Sequence, residues 1–475
     1  MATPTAPADV IPRSAWISLA IGTATAFLVV LDVSVVNVAF PSIAEDLDAG
    51  ATGLSWIVSG YSVALASFLL LAGRLADRIG RKRVYLLGLA TFVLASLLCG
   101  LAPNTPSLIA ARVAQAIGGA ALFPASLALA LPEFPASRRA MAIGFWGAMG
   151  ALGAAFGPSI GALVIEWLSW RAVFLLNVPT GILLFTAASR HFVESRDPAA
   201  RDEQLDLIGV PLGTAGIAMV MIAIVQGETW GYTDPATLAF LVAGLTMLPL
   251  LIWRSLTHPR PLLDLGLFRV RSFWSSTGAF FLYSLGFIAG FLMNSLLMQR
   301  LWDYSVLETG FGLTPGPLIA TALSAPAGRY ADRWGHRWLV AAGAATCAVS
   351  YLLLMLRVEA EPSYLTVFLP SNINLGVGVG LSIASLTSAA LADISPTRFA
   401  VGNATVRTVQ QLGGAMGIAI VVALFGDPVV DELVAGFERA YLWVAGAFAA
   451  SAVAMAMAFP GGSAAQRTPN LGSTT

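Results

Sequence analysis

The chain has 475 residues, of which 57% are hydrophobic and only 11% charged, and its mean hydropathy is +0.78. Soluble domains carry about 25% charged residues, so this composition excludes an ordinary soluble enzyme. The 26 basic and 26 acidic residues cancel, leaving no basic field for nucleic acid. Cys99 and Cys347 sit inside apolar runs, which offers neither a disulfide framework nor a zinc site.

A lipid span needs about 20 mostly apolar residues in helical form, because backbone polar groups must be satisfied within the segment. That window predicts helices, in chain order, at 15–40, 54–74, 83–101, 107–131, 139–165, 171–190, 206–226, 236–255, 273–299, 311–331, 338–357, 363–391, 399–425 and 439–459. The expected fold is an all-α polytopic membrane protein with fourteen transmembrane helices between tails at 1–14 and 460–475. The first run is too long for a removed signal peptide and lacks a small-residue cleavage site before its polar connector.

The connectors after spans 2, 8 and 10 hold Arg74, Arg78, Arg81, Lys82 and Arg83, then Arg254, Arg260, Arg269 and Arg271, then Arg329, Arg333 and Arg337. Only Arg171, Arg300, Arg357 and Arg439 fall in the opposite connectors, and Arg112 and Arg407 within spans. Basic connectors stay cytoplasmic, so both termini are expected inside a bacterial-type plasma membrane.

In span 1, Asp32 is the one carboxylate placed deep in hydrocarbon, about 24 Å along the helix from Trp16 at 1.5 Å per residue. A charged Asp there costs roughly 2.5–3.5 kcal/mol on insertion scales, so it is expected to have a use or a partner. It is either a proton carrier, since burial favours the neutral acid and water entry the carboxylate, or a structural carboxylate held by an arginine. Arg112 in span 4, at comparable depth, is the natural partner; the alternative is that it snorkels to the outer headgroups. In span 5, Gly153, Gly157 and Gly161 make two overlapping G-x-x-x-G packing steps, and Pro158 removes one backbone hydrogen bond.

The connector 73–83 reads GRLADRIGRKR and the connector 328–338 reads GRYADRWGHRW, with six of the first eight positions identical at an offset of 255. Such a repeat after the second helix of each half implies two six-helix bundles of parallel pseudo-symmetry, at 15–190 and 261–459. Spans 7 and 8 then form an extra hairpin within a linker at 191–260.

With these features the sequence resembles the major facilitator superfamily, and within it the fourteen-helix drug:proton antiporters of the EmrB/QacA type. LDVSVVNVAFP at 31–41, which includes Asn37, is similar to the signature L-D-x-T-V-V-N-V-A-x-P, and 73–81 matches G-x-L-A-D-x-x-G-R. Arg112 and Gln115 fit R-x-x-Q-G except that Ala116 replaces the glycine. Gly144, Gly153, Gly157, Pro158 and Gly161 reproduce the antiporter spacing of the fifth helix, with Ala162 where a last glycine is usual. Trp170-Arg171, Phe174 and Asn177-Val178-Pro179 resemble the entry to the sixth helix, and PLLDLGLF at 261–268 the approach to the ninth. Where this branch carries an arginine before Gln-Leu-Gly-Gly, the chain has Gln410 ahead of Gln411, with Arg407 three residues earlier.

The resemblance implies antiport, a shared bundle for spans 1 and 4, and a conformational latch made by Gly73, Asp77, Arg78, Gly80 and Arg81 with Asp332 and Arg333 in the second half. Asp32 and Arg112 are the expected proton-coupling pair. Polar and soft side chains in the cavity-lining helices are the candidate substrate contacts: Asn37, Trp56, Tyr61, Gln115, Met293, Asn294, Gln299, Asn372, Asn374, Arg407 and Gln410. Met, aromatic and amide groups around an apolar cavity suit bulky amphipathic compounds. The only lysine, Lys82, follows Arg81, so a Gly-Lys-Ser/Thr phosphate loop cannot be built. No metal site and no cofactor are expected, and the energy source is the proton gradient. The expected function is a proton-coupled exporter of hydrophobic or amphipathic compounds, not an enzyme, acting as a monomer in contact with lipid and without nucleic acid. Two alternatives stay open: a dedicated exporter or flippase for an endogenous lipid, antibiotic or peptide, and a transporter-like receptor without net flux.

Overall fold

The computed structural model describes residues 11–36, 38–135, 138–195, 206, 208–258, 263–395, 398–425 and 433–460. Every apolar run is helical. The first half contains α1 (Arg13–Val36), α2 (Phe40–Leu47), α3 (Ala51–Ile79), α4 (Arg81–Gly100), α5 (Thr105–Ala130), α6 (Arg139–Trp167), α7 (Trp170–Leu175) and α8 (Asn177–His191). Next come α9 (Gly209–Trp230) and α10 (Pro235–Thr257). The second half contains α11 (Arg271–Leu296), α12 (Val306–Leu313), α13 (Pro315–Trp334), α14 (Arg337–Arg357), α15 (Leu369–Leu391), α16 (Phe399–Phe425) and α17 (Leu433–Ala458). Three runs expected to be single rods are broken, between α1 and α2, α7 and α8, and α12 and α13. Each break lies just ahead of a proline (Pro41, Pro179 and Pro315), which has no N–H for the carbonyl four residues back. Several other ends are capped: Asn104 and Ser107 close a capping box on α5, and Ser305 and Glu308 another on α12, satisfying N–H groups that a helix leaves unpaired.

Among the described residues eleven helices are long and apolar enough to cross a membrane, or twelve when the two arms of α6, bent by 45° at 154–159, count as one span. Fourteen were expected from hydropathy. The two outside this set are α13 and α16, which are helical where predicted but dilute in apolar residues. α13 carries prolines, glycine and the charged run 329–333, and α16 carries Asn403, Arg407, Gln410 and Gln411.

Packing repeats between the halves. α6 packs on α1, α5 on α3 and α4, and α8 on α4; in the same pattern α16 packs on α11, α15 on α13 and α14, and α17 on α14. Glycines fix the register. A Cβ on Gly153 would lie 2.7 Å from the carbonyl oxygen of Phe27, and one on Gly413 would lie 2.7 Å from that of Phe281. Gly118 packs on Gly88, and Gly378 on Gly343.

The two bundles meet reciprocally. Gly73 of α3 abuts Ala400, Val401 and Ala404 at the start of α16, and Gly328 of α13 abuts Ala140 and Met141 at the start of α6. Gly144 faces the Ser324 carbonyl across the second seam. The bundles are therefore closed at the end that carries the two repeated loops.

α9 packs on α10, on α3 and on α16, so this helix pair lies along the first seam. Gln226 Nε2 donates to Ser59 Oγ at 3.1 Å, joining α9 to α3. Asp206 caps α9 by accepting from the Gly209 N–H at 2.8 Å and from Arg254 Nε of α10 at 2.9 Å. In α10 only Thr237, Gly244, Leu251 and Ser255 are buried, so most of this helix faces outward.

Candidate functional site

α6 presents its glycine face to α1, where Gly153, Gly157 and Gly161 seat the backbone of Phe27 and Leu31 and the side chains of Ser34 and Val35. The packing role expected for these glycines is what they serve here, and this close approach holds Asp32 inside the bundle. Pro158 falls at the bend of α6, and its side chain lies outside the described residues, as do Asn37 and the side chain of Asp332.

Asp32 is 2% exposed and Arg112 1%. Arg112 Nη1 donates to Asp32 Oδ2 at 2.6 Å. The other carboxylate oxygen accepts from Gln115 Nε2 at 2.8 Å and from Asn177 Nδ2 at 2.6 Å. Both amides also reach Ser96 Oγ, at 2.5 and 3.1 Å. Arg112 Nη1 makes a further bond to Gln115 Oε1 at 2.6 Å, and its guanidinium lies 4.1 Å from the centre of the Tyr61 ring. Arg112 therefore reaches inward to an anion and does not snorkel to headgroups.

The charged form of Asp32 is satisfied by three donors from three side chains on α5 and α8. A neutral carboxyl there would still accept hydrogen bonds, but more weakly, and would leave Arg112 without its anion.

Of the expected substrate contacts, Gln115 and Tyr61 belong to this network rather than to an open wall. Met293 and Asn294 lie in the core of the second bundle, where Asn294 Nδ2 donates to Tyr351 Oη at 3.4 Å. Asn374 is spent on Ser350 and the Thr346 carbonyl of α14, and Gln299 on Ser295. Asn372 is buried against Gly316 with its amide oxygen unpartnered. Trp56 lines a crevice of about 410 Å³ between α3, α5 and α9 that also includes Val63, Phe68, Val113 and Ala218. Arg407 and Gln410 are joined at 2.6 Å.

In the repeated loop, Arg81 Nη2 donates to Asp77 Oδ1 at 3.0 Å and both are buried. Gly80 has φ +115°, a conformation that disfavours any side chain. Beside it Glu194 accepts from the N–H groups of Lys82 and Arg83 at 3.1 and 3.2 Å, placing a carboxylate on the positive end of α4. Arg78 is half-buried and Arg333 exposed.

Sequence reading missed Ser96, Glu194 and the role of Asn177. A polar residue interrupting the apolar run 171–190 was the available signal for Asn177. It also missed Asp46, which accepts from Trp170 Nε1 at 3.1 Å and from Arg171. These donors hold the Asp46 carboxyl below its ordinary range, the Arg171 bond being the largest cause.

Two helical halves of like packing, the first enclosing a buried charge pair, are the frame of a membrane transporter. The sequence profile of the Major Facilitator Superfamily matches residues 23–418, and the chain belongs to that family. It is 35% identical over 413 residues to the puromycin resistance protein pur8 of Streptomyces alboniger, covering 86% of this chain and 81% of that one. It is 30% identical over 455 residues to the methylenomycin A resistance protein of Bacillus subtilis, covering 95% and 97%. The multidrug efflux pump LfrA of Mycolicibacterium smegmatis is 31% identical over 87% of this chain and 82% of its own. Among solved structures, the proton:xylose symporter XylE superposes with a TM-score of 0.67 at 14% identity, covering 96% of this chain and 98% of that one. The human organic anion transporter MFSD10 gives 0.66 at 16%, covering 94% and 100%; at these identities the likeness is one of fold. The chain is a multi-pass membrane transporter of small molecules, not an enzyme.

Proposed function

We propose that the chain is a proton-driven antiporter that exports hydrophobic or amphipathic compounds, antibiotics among them, from a bacterial cell by alternating access of its two bundles. The observation that carries this reading is the sealed Asp32–Arg112–Gln115–Asn177 network, which must rearrange when Asp32 gains a proton. Relatives that bear the names of resistance and efflux proteins along most of their length support export as the direction. We assign the chain to the fourteen-helix branch, with α13 and α16 crossing inside their bundles despite their polar content. Its two termini and both repeated loops are cytoplasmic in this reading, and α9 and α10 form the extra hairpin. The closed end is then the cytoplasmic one. Export of a single endogenous antibiotic is the second reading, favoured by relatives named for puromycin and methylenomycin A alone.

Asp32→Asn tests the coupling. It keeps size and hydrogen bonding while fixing the neutral state. The variant is expected to insert, to bind substrate and to allow downhill exchange, while uphill efflux driven by a pH gradient in proteoliposomes disappears. Proton release on substrate binding disappears with it. Full gradient-driven efflux by the variant overturns the assignment, and a panel of dyes beside the host's own secreted products separates the two export readings.

A further inference from the structure

One cation of the membrane interior has no anion. Arg407 lies on α16, and its guanidinium carbon sits 4.7 Å from the centre of the Trp146 ring and 5.8 Å from that of Phe123, both on the other bundle. Nη1 donates to Gln410 Oε1, while Nε is buried without a partner. Among the described residues no carboxylate pairs with it.

A second deficit stands beside the first. Asn403 is 0% exposed, and neither its amide oxygen nor its amide nitrogen has a partner. It precedes Arg407 by four residues, so the two share a helix face with their Cβ atoms about 5–6 Å apart. Buried polar atoms are overwhelmingly satisfied in folded proteins, and an uncompensated charge in hydrocarbon is costly. The ring of Trp146 occupies a face of the guanidinium and leaves its hydrogen-bonding edge to something else.

We propose that Arg407 and Asn403 form an anion subsite of the transport pathway, resting on the exporter reading above. Its ligand is an amphipathic anion, a carboxylate or sulfonate on a flat apolar body. The guanidinium edge offers paired donors to the acid group, and Asn403 Nδ2 adds a third. The apolar body lies against Trp146 and Phe123, which supply the aromatic surface. Recognition therefore draws on both bundles at the seam that alternating access opens and closes. A purely structural clamp of Arg407 on Trp146 would leave Asn403 and Nε unexplained.

The test compares 8-anilinonaphthalene-1-sulfonate with N-phenyl-1-naphthylamine, which share an aromatic body and differ by the acid group. Binding to the full chain in nanodiscs is read by equilibrium dialysis, and efflux in proteoliposomes. Arg407→Gln is expected to weaken sulfonate binding about tenfold or more and to change binding of the neutral amine less than twofold. Asn403→Leu should weaken the sulfonate by a smaller factor, and Arg407→Lys should fall between wild type and Arg407→Gln. Equal losses for both probes, or no loss for the sulfonate, overturn the anion subsite. Should the wild type expel the amine and ignore the sulfonate, the subsite falls while the exporter reading stands. Wild-type protein that binds and expels neither probe brings down both.

Discussion

The two bundles share a packing frame and differ in what the frame holds. In the register set by the paired glycines, Phe27 corresponds to Phe281 and Gly118 to Gly378, so Gly286 is the positional counterpart of Asp32 and Asn372 that of Arg112. Around the charged pair the N-terminal bundle gathers Gln115, Asn177 and Ser96. The C-terminal bundle fills the same region with rings: Tyr351 stacks on Phe448 at 5.7 Å, and Tyr283 meets Phe448 edge-on at 4.8 Å. Tyr283 Oη lies 3.5 Å from Cys347 Sγ. Small residues that let helices approach each other determine the architecture, and the buried Asp32–Arg112 ion pair is held by the first half.

The sharpest way to break this contrast is to remove one polar side chain from each side of it. Arg112→Gln strands Asp32 in a buried site and is expected to cost about 3–5 kcal/mol, read as loss of thermal stability and of folded protein in the membrane. Adding Asp32→Asn should restore folding but not uphill transport. At the counterpart position Asn372→Leu replaces an amide whose buried oxygen is unpartnered and should change stability by less than about 1 kcal/mol. Comparable losses at Arg112 and Asn372 would refute the idea that only the first bundle depends on a buried ion pair.

The reciprocal seams offer the opposite test, because there the halves should behave alike. A Cβ on Gly73 would lie 2.7 Å from Ala404 Cβ, and one on Gly328 would lie 2.5 Å from the Ala140 carbonyl oxygen. Gly73→Val and Gly328→Val should each slow turnover about tenfold or more by holding the closed end apart, with substrate affinity nearly kept. A strong effect at one glycine and none at the other shows that the seams are not equivalent. Asp77→Asn should be milder, slowing the cycle a few-fold at unchanged affinity, since it removes the negative charge that faces Arg81 and leaves the glycine contacts in place.

The smallest expected effect is in the linking helices. Burial of Asp206 raises its carboxyl, but the Gly209 N–H and Arg254 outweigh this and hold it below the ordinary value. A lowered carboxyl contributes stability that is complete above the unfolded value of about 3.9 and is lost as pH falls through the folded one. The protection of α9 amides from hydrogen exchange, relative to their intrinsic rates, should therefore fall below about pH 4, and Asp206→Asn should remove that dependence while leaving efflux nearly intact.

Helix positions were legible because each apolar run is long against the strand alternative, and the breaks at Pro41, Pro179 and Pro315 were available to a reader who followed each missing N–H back four residues. Asp32 and Arg112 were legible as an expensive pair. The network around them was not: Ser96 and Asn177 lie 64 and 145 residues from Asp32 in sequence, and only packing brings them together. Glu194 was hidden for the same reason, in a polar connector where a carboxylate carries no signal. Gln115 and Tyr61 illustrate the converse, since a polar or aromatic residue in a span reads the same whether it faces a cavity or a neighbouring charge.

Among the described residues every donor to Asp32 comes from its own half of the chain. In the proposed antiport cycle the ion pair would then not straddle the boundary between the bundles, and rocking would not have to rupture it. Substitutions confined to α11–α17 can then redirect what is carried while leaving the energetics alone. In a lineage under changing chemical attack, cargo and power source are free to diverge at separate rates.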